Sequence, residues 1–342
     1  MLGYIPFPSW IRPEVFWFLN ISVPRWYGIM YIVAFLVTYL LLIRQFKQRG
    51  ETPNKDLILD LFFWGVVGLI VGARLGFVLI YDTGHQFLRE PWRIIVPIER
   101  GQDGKIVFTG LSGMSYHGGV VGIAVALGIF MRVKKMDALE WADMLTAGIP
   151  LGYTFGRLGN FINGELYGRV TTVPWGMVFP HAETVSGKEQ WVKDFASAVG
   201  MPLDASGLQN LPRHPSQLYE AFFEGVVLWL ILWFLVKDRK PFKGFILSCY
   251  IFGYGFFRFF IEYTREPDIG IGYPITFVRA ESGPGQFSFF NFSTGQILCF
   301  IMMAAGLICY FVFKARAGNA LPEGGPSAPS GRKLRKKAQK GL

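Results

Sequence analysis

Seven apolar runs, each close to the length that crosses a lipid bilayer, constrain this chain more than any other feature. They cover residues 21 to 43, 57 to 81, 116 to 133, 139 to 158, 216 to 236, 244 to 263 and 293 to 313, and a spanning helix takes about 20 mostly apolar residues. The expected fold class is an all-α polytopic membrane protein of about seven transmembrane helices. The fourth run opens on Glu140 and Asp143, and the third and fourth are both rich in Gly and Ala. Gly118, Gly119 and Gly122 form a face suited to close helix packing. With 51% hydrophobic and 17% aromatic residues over 342 positions, the chain is too apolar for a soluble protein of this size. Residues 1 to 10 have no basic leader and no separate short apolar core, so the first helix is expected to stay as an anchor.

Basic residues in alternate connections set the orientation. One set of connections, including the C-terminal tail, holds nineteen Lys and Arg; the other, spread over longer loops, holds eleven. The first side is therefore expected to be cytoplasmic, with the N-terminus outside and the C-terminus inside. The net charge of +10 then reports topology and not nucleic-acid binding. The expected division is a membrane domain over 1 to 314, with an extracytoplasmic head of irregular or short β structure at 159 to 215, and a disordered basic tail from 315 to 342 that lies against anionic lipid. Cys249, Cys299 and Cys309 lie inside apolar runs without a C-x-x-C pair, which argues against a disulfide framework. The four histidines make no spaced ligand set, and no H-E-x-x-H, Walker or G-x-G-x-x-G motif occurs. No metal or nucleotide cofactor is indicated.

Four arginines, Arg25, Arg74, Arg157 and Arg258, fall within or at the edge of apolar runs, where a cation is costly unless paired or functional. Arg157 stands in Gly152 to Arg169, a polar exit from the fourth run that also carries Asn160, Asn163 and Glu165 between glycines. Either this is a capped helix end with an arginine reaching the interface, or it is part of a site. On the sixth run Tyr254, Arg258 and Glu262 are spaced i, i+4, i+8 and share a face, with Arg265 close to it. Arg25 to Gly28, Ser115 to Gly119 and Arg213 to Glu220 fall on the same outer side, with His214 as a helix-start residue and Ser216 as the N-cap. Two guanidinium forks at one level suit a phosphate. His117 is either a general base, histidine being the side chain that titrates near neutrality, or a helix-start histidine bonded to a loop. Arg74 is structural or a third cation.

The run Gly-Arg-Leu-Gly-Asn-Phe-Ile-Asn-Gly-Glu at 156 to 165 closely resembles the signature of bacterial prolipoprotein diacylglyceryl transferases. The His-Gly-Gly stretch at 117, the Arg-His-Pro-Ser-Gln-Leu-Tyr-Glu stretch at 213 and the helix from Tyr254 to Arg265 resemble further motifs of that family in the same order. The resemblance covers about residues 15 to 314. It implies a seven-helix inner-membrane enzyme that moves a diacylglyceryl group from phosphatidylglycerol to the lipobox cysteine of a prolipoprotein signal peptide, releasing glycerol phosphate. Carried over by motif are Tyr27, His117, Arg157, Asn160, Glu165, Gly168, Tyr254, Arg258 and Glu262. The nucleophile would be the substrate's thiol, with Arg157 and Arg258 stabilising charge on the leaving phosphate and His117 taking the thiol proton. Tyr27, Tyr254 and Asn160 would hold the lipid headgroup, while Glu165 and Glu262 would orient the arginines. The rival reading is a transporter or lipid-binding protein for an anionic substrate; such proteins commonly carry internal repeats, and no repeat is found here.

Overall fold

The computed structural model describes residues 3–16, 25–80, 98–100, 106–108, 114–266, 272–277 and 288–319. Nine helices occur among them. They are α1 (Trp26–Gln48), α2 (Lys55–Ile80), α3 (Tyr116–Val133), α4 (Ala138–Thr146), α5 (Ile149–Asn163), α6 (Gln190–Val199), α7 (Ser216–Arg239), α8 (Phe245–Ile261) and α9 (Thr294–Asn319). Five of these, α1, α2, α7, α8 and α9, are long and apolar enough to cross a membrane, and α3 is a shorter apolar helix.

The run expected as one span at 139 to 158 is instead two helices. Gly148 and Pro150 explain the break: proline lacks the N–H that would continue the preceding helix, and α4 closes through Ala147 N–H to Asp143 O (3.1 Å) and Gly148 N–H to Leu145 O (2.9 Å). α5 then runs past the expected end to Asn163. The last helix likewise continues through 315 to 319, where disorder is expected; the rest of the tail lies outside the described residues. Cys249 is on α8 and Cys299 and Cys309 on α9, all with free thiols.

Between lipid-exposed helices apolar burial gives little drive, and close backbone approach takes over. α2 packs along α3 through facing glycines: a Cβ added at Gly72 would lie 2.5 Å from Gly122 Cα, and one at Gly76 2.7 Å from Gly118 Cα. α1 packs along α5, with Gly159 against Met30 and Tyr27, and α8 along α9, with Gly255 against the Cys299 carbonyl. At the opposite end from the arginines, the fully buried Asp143 of α4 fastens the start of α8. Its carboxylate accepts the Gly244 and Leu247 amides (2.7 and 2.9 Å) with Lys240 at 3.3 Å, supplying two of the amides a helix start leaves unpaired.

The stretch between α5 and α7 holds short strands and also a helix. It contains the strands β2 (Met177–Val178), β3 (Val185–Ser186) and β4 (Leu208–Gln209), and the helix α6 with Val192, Ala196 and Val199 buried. β3 and β4 pair antiparallel. β2 pairs in parallel with β1 (Ile5–Pro6) of the N-terminal arm, a partner about 170 residues away in the chain. Phe7 of the arm sits 5.5 Å from both Phe161 and Phe179. Phe179 is fully buried, and burying such a ring is worth ~1.5–3 kcal/mol.

Candidate active site

Tyr153, Arg157 and Asn160 on α5 lie at i, i+4 and i+7, a helical spacing that places them on one face. α7 supplies Glu220 and Glu224, one turn apart and both without exposed surface. Over Ala221–Val227 the backbone of α7 widens to π-helical geometry, a distortion that recurs at functional sites. α8 supplies Tyr254, Arg258 and Glu262, and Arg265 follows it.

These groups close on Glu220. Its Oε2 lies 2.8 Å from Arg157 Nε, and its Oε1 lies 3.0 Å from Arg258 Nη1 and 2.8 Å from Arg265 Nη1. Arg258 also reaches Glu262 at 3.1 Å and Glu224 at 3.8 Å. Three guanidiniums thus face three carboxylates, a balance that buried charge requires. Arg157 Nε donates to Tyr153 Oη (2.6 Å), its guanidinium lies over that ring at 4.8 Å, and Tyr153 Oη donates to Glu224. The Tyr153 ring stands edge-on to Tyr254 at 5.8 Å.

Two features leave this network open. The polar contacts of Arg157 are all at Nε, so its Nη fork has no partner among the described residues, and its side chain keeps 15% exposure. In addition, Glu220 Oε2, Glu224 Oε1, Glu262 Oε2 and Arg258 Nη1 are buried without an aligned hydrogen bond, a concentration unusual for a finished polar core. An open fork beside further fixed cations can take two oxygens of a phosphate.

α5 ends in a turn that sets the rim. Gly164 takes φ 68°, donating back to Phe161 O (2.9 Å), a left-handed C-cap that glycine adopts without strain. Leu166 follows at φ 57°, a less favoured conformation for a residue with a Cβ. It is held because Gln217 Nε2 donates to Glu165 O (2.7 Å) and Ser216 Oγ to Leu166 O (3.1 Å). Ser216 is therefore not the expected N-cap: Pro215 occupies that position, and the serine hydroxyl is spent on the rim. Glu165 is paired with no arginine among the described residues; its carboxylate accepts from Asn160 Nδ2 at 3.0 Å, next to Tyr27, whose hydroxyl is 3.0 Å from Tyr31 Oη.

Gly168 lies where a Cβ would meet Thr264 O and come within 2.8 Å of His214 Cβ. Its amide donates to His214 O (2.8 Å), and Arg169 N–H donates to Thr264 O (3.0 Å), which ties the rim to the end of α8. The His214 ring faces Tyr219 Oη at 3.3 Å, and burial together with Arg169 pushes its pKa down to about 4. His117 is the exposed second residue of α3, which packs chiefly on α2. Arg74 is half-buried on α2, and the third guanidinium at Glu220 is Arg265.

The structure thus brings Arg157, Arg258, Glu262 and Tyr254 into one cluster, with Tyr27, Asn160 and Glu165 in a second group along the same face of α5. Tyr153, Glu220 and Glu224 were not singled out as site residues from the sequence. The available signal was two carboxylates one turn apart in the apolar run 216 to 236, matching an arginine and a tyrosine one turn apart in the run before it.

The family model for prolipoprotein diacylglyceryl transferase matches residues 13–312. Several relatives are similar over nearly their whole length, each named phosphatidylglycerol–prolipoprotein diacylglyceryl transferase. The protein of Treponema denticola is 47% identical over 327 residues, covering 91% of this chain and 95% of its own. That of Treponema pallidum is 45% identical over 326 residues, with 91% and 96% covered. That of Chlorobaculum tepidum is 43% identical over 313 residues, with 92% and 93% covered. The matched residues run from the N-terminal arm into α9 and include every arginine and carboxylate of the cluster, so this chain belongs to the prolipoprotein diacylglyceryl transferase family.

Proposed function

We propose that this chain transfers the sn-1,2-diacylglyceryl group of phosphatidylglycerol to the lipobox cysteine of a prolipoprotein, forming a thioether and releasing glycerol phosphate. The relatives' names, which give phosphatidylglycerol and prolipoprotein as substrates, support this reading. The observation that carries it is the open fork of Arg157 beside Arg258 and Arg265, all anchored on the buried Glu220. The substrate thiolate attacks the glyceryl carbon bonded to the phosphate oxygen. As the C–S bond forms, the C–O bond breaks and its electron pair goes to the phosphate, where Arg157 and Arg258 meet the charge in a water-poor setting. His117 takes the thiol proton. Tyr27, Asn160 and Tyr254 hold the headgroup, Glu262 orients Arg258, and Gly168 keeps the rim close to the end of α8.

The accompanying topology is seven crossings, with α3 and the α4–α5 pair added to the five long apolar helices, in a bacterial inner membrane. The N-terminus is outside, the C-terminus is cytoplasmic, and the site lies toward the outer leaflet. Residues 159 to 215 form a head on the membrane domain of residues 1 to 314, and the basic tail lies at the cytoplasmic surface. The charge asymmetry of the connections supports this orientation.

The reading is tested by incubating purified protein with phosphatidylglycerol and a lipobox peptide, then weighing the peptide by mass spectrometry. A gain of one diacylglyceryl group on cysteine, absent when serine replaces that cysteine, is expected. An unmodified peptide alongside bound phosphatidylglycerol would favour a lipid-binding protein instead.

A further inference from the structure

A cavity of about 710 Å³ opens between the N-terminal arm, the end of α5 and the head. It falls within the ~300–1,000 Å³ typical of ligand sites. Its walls are fixed on each side. The arm is held by Ile5 N–H to Gly176 O (2.8 Å) and Phe7 N–H to Val178 O (3.2 Å), and by the packing of Phe7 on Phe161 and Phe179. Asn163, in the wall, is six residues beyond Arg157 on α5, about 9 Å along the axis and about a third of a turn round it. The cavity therefore lies beyond the cluster along α5, at the end of that helix that leads into the head.

Two acceptors in this wall lack donors. Asn163 Oδ1 and Asn210 Oδ1 are buried with no hydrogen-bond partner. Asn210 is locked in orientation, because its Nδ2 donates to Phe179 O at 2.7 Å, so its carbonyl oxygen cannot be exchanged for the amide. Buried acceptors of this kind are costly unless a donor arrives. The charged groups in the wall are of both signs, Arg12 with Glu14 and Asp204, which suits a neutral chain bearing N–H donors better than an ion.

We propose that this cavity receives the polypeptide immediately after the modified cysteine, its backbone amides donating to Asn163 and Asn210. The inference rests on the transfer reading above. With the cysteine at the arginine cluster and the signal peptide in the membrane, the following residues leave toward the head. The cavity lies in that direction, and its wall holds the two unmet acceptors.

The test compares two lipobox peptides, one ending at the cysteine as its amide and one continuing for six residues. With wild-type protein the longer peptide should have a KM about tenfold lower, equivalent to ~1.4 kcal/mol. Ser9→Trp fills the mouth of the cavity from an exposed position in its wall and should erase that advantage, as should Asn210→Leu. In parallel, a longer peptide with a benzophenone two residues past the cysteine should crosslink to residues 4–14 or 201–210 of the wild-type protein, a readout independent of turnover. Equal KM values for the two wild-type peptides, an advantage that survives Ser9→Trp, or crosslinks confined to other segments would overturn the proposal. A raised KM for phosphatidylglycerol in Ser9→Trp, with the peptide ratio kept, would assign the cavity to the donor's glycerol and also overturn it. Absence of turnover with both peptides would instead sink the transfer reading, and the crosslink would still decide whether the chain docks here.

Discussion

Replacing Glu220 by glutamine tests whether one buried carboxylate organises the arginines. The substitution keeps size and one acceptor oxygen but removes the charge that Arg157, Arg258 and Arg265 share at 2.8, 3.0 and 2.8 Å. Three guanidiniums then face only Glu224 and Glu262, and an amide N–H₂ competes for a position that had accepted. Breaking a buried ion pair from one side costs ~3–5 kcal/mol. The loss is uneven: Arg258 keeps Glu262 at 3.1 Å, whereas Glu220 is the only carboxylate bonded to Arg157 among the described residues. The defect should therefore resemble removal of one preorganised charge, ~2.7–4 kcal/mol or a 10²–10³-fold fall in kcat. The assay is turnover of a lipobox peptide in phosphatidylglycerol vesicles, normalised to folded protein. Glu220→Gln combined with Arg157→Lys should be little worse than either alone, because neighbours in one network are not additive. Activity of Glu220→Gln within about threefold of wild type, far from the 10²-fold expected, or strict additivity in the double variant, would refute the argument.

Other outcomes are equally specific. His117→Gln should lower turnover ~10²–10⁴-fold, the scale of a positioned proton acceptor; retention of more than about a tenth of the wild-type rate, outside that range, would hand the thiol proton to another group. An unfolded histidine binds its proton near pH 6.5, whereas native His214 is held down to about 4, so the unfolded state binds more protons across that window. Wild-type Tm in detergent should therefore fall as pH drops from about 6.5 to about 4, and fall less in His214→Asn; parallel curves would contradict the assignment. On a background lacking the native cysteines, a cysteine at the exposed position 190 should react with an impermeant thiol reagent on intact cells and one at the exposed position 48 should not; the reverse pattern would invert the topology.

Much of this architecture could be read locally, and the parts that could not depend on contacts between distant segments. The third run coincides with α3, and α8 starts and ends within two residues of its run, because apolar length is the property that decides those helices. The break within 139 to 158 is invisible to hydrophobicity, which does not register Gly148 and Pro150, the residues that stop one helix and start another. On α8 the alignment of Tyr254, Arg258 and Glu262 followed from helical period alone. The convergence of three arginines on Glu220 did not, since neither the distance between α5, α7 and α8 nor their rotation is written in any one of them. The family motif pairs Glu165 with an arginine, whereas the turn at Gly164 and Leu166 brings it to Asn160. The pairing of Ile5 with Met177 is nonlocal in the same way, as two-residue strands carry no period to find.

In the proposed mechanism Arg157 and Arg258 stabilise the leaving phosphate through guanidinium geometry, beyond their charge. The turnover of Arg157→Lys and Arg258→Lys with phosphatidylglycerol and a lipobox peptide, at matched levels of folded, membrane-inserted protein, measures this directly. Lysine keeps the charge but offers a single point in place of the planar fork. A loss of about 10² or more in kcat is expected for each variant, the scale of a preorganised charge group. Near-normal turnover of either lysine variant would remove that arginine from the phosphate and contradict the claim.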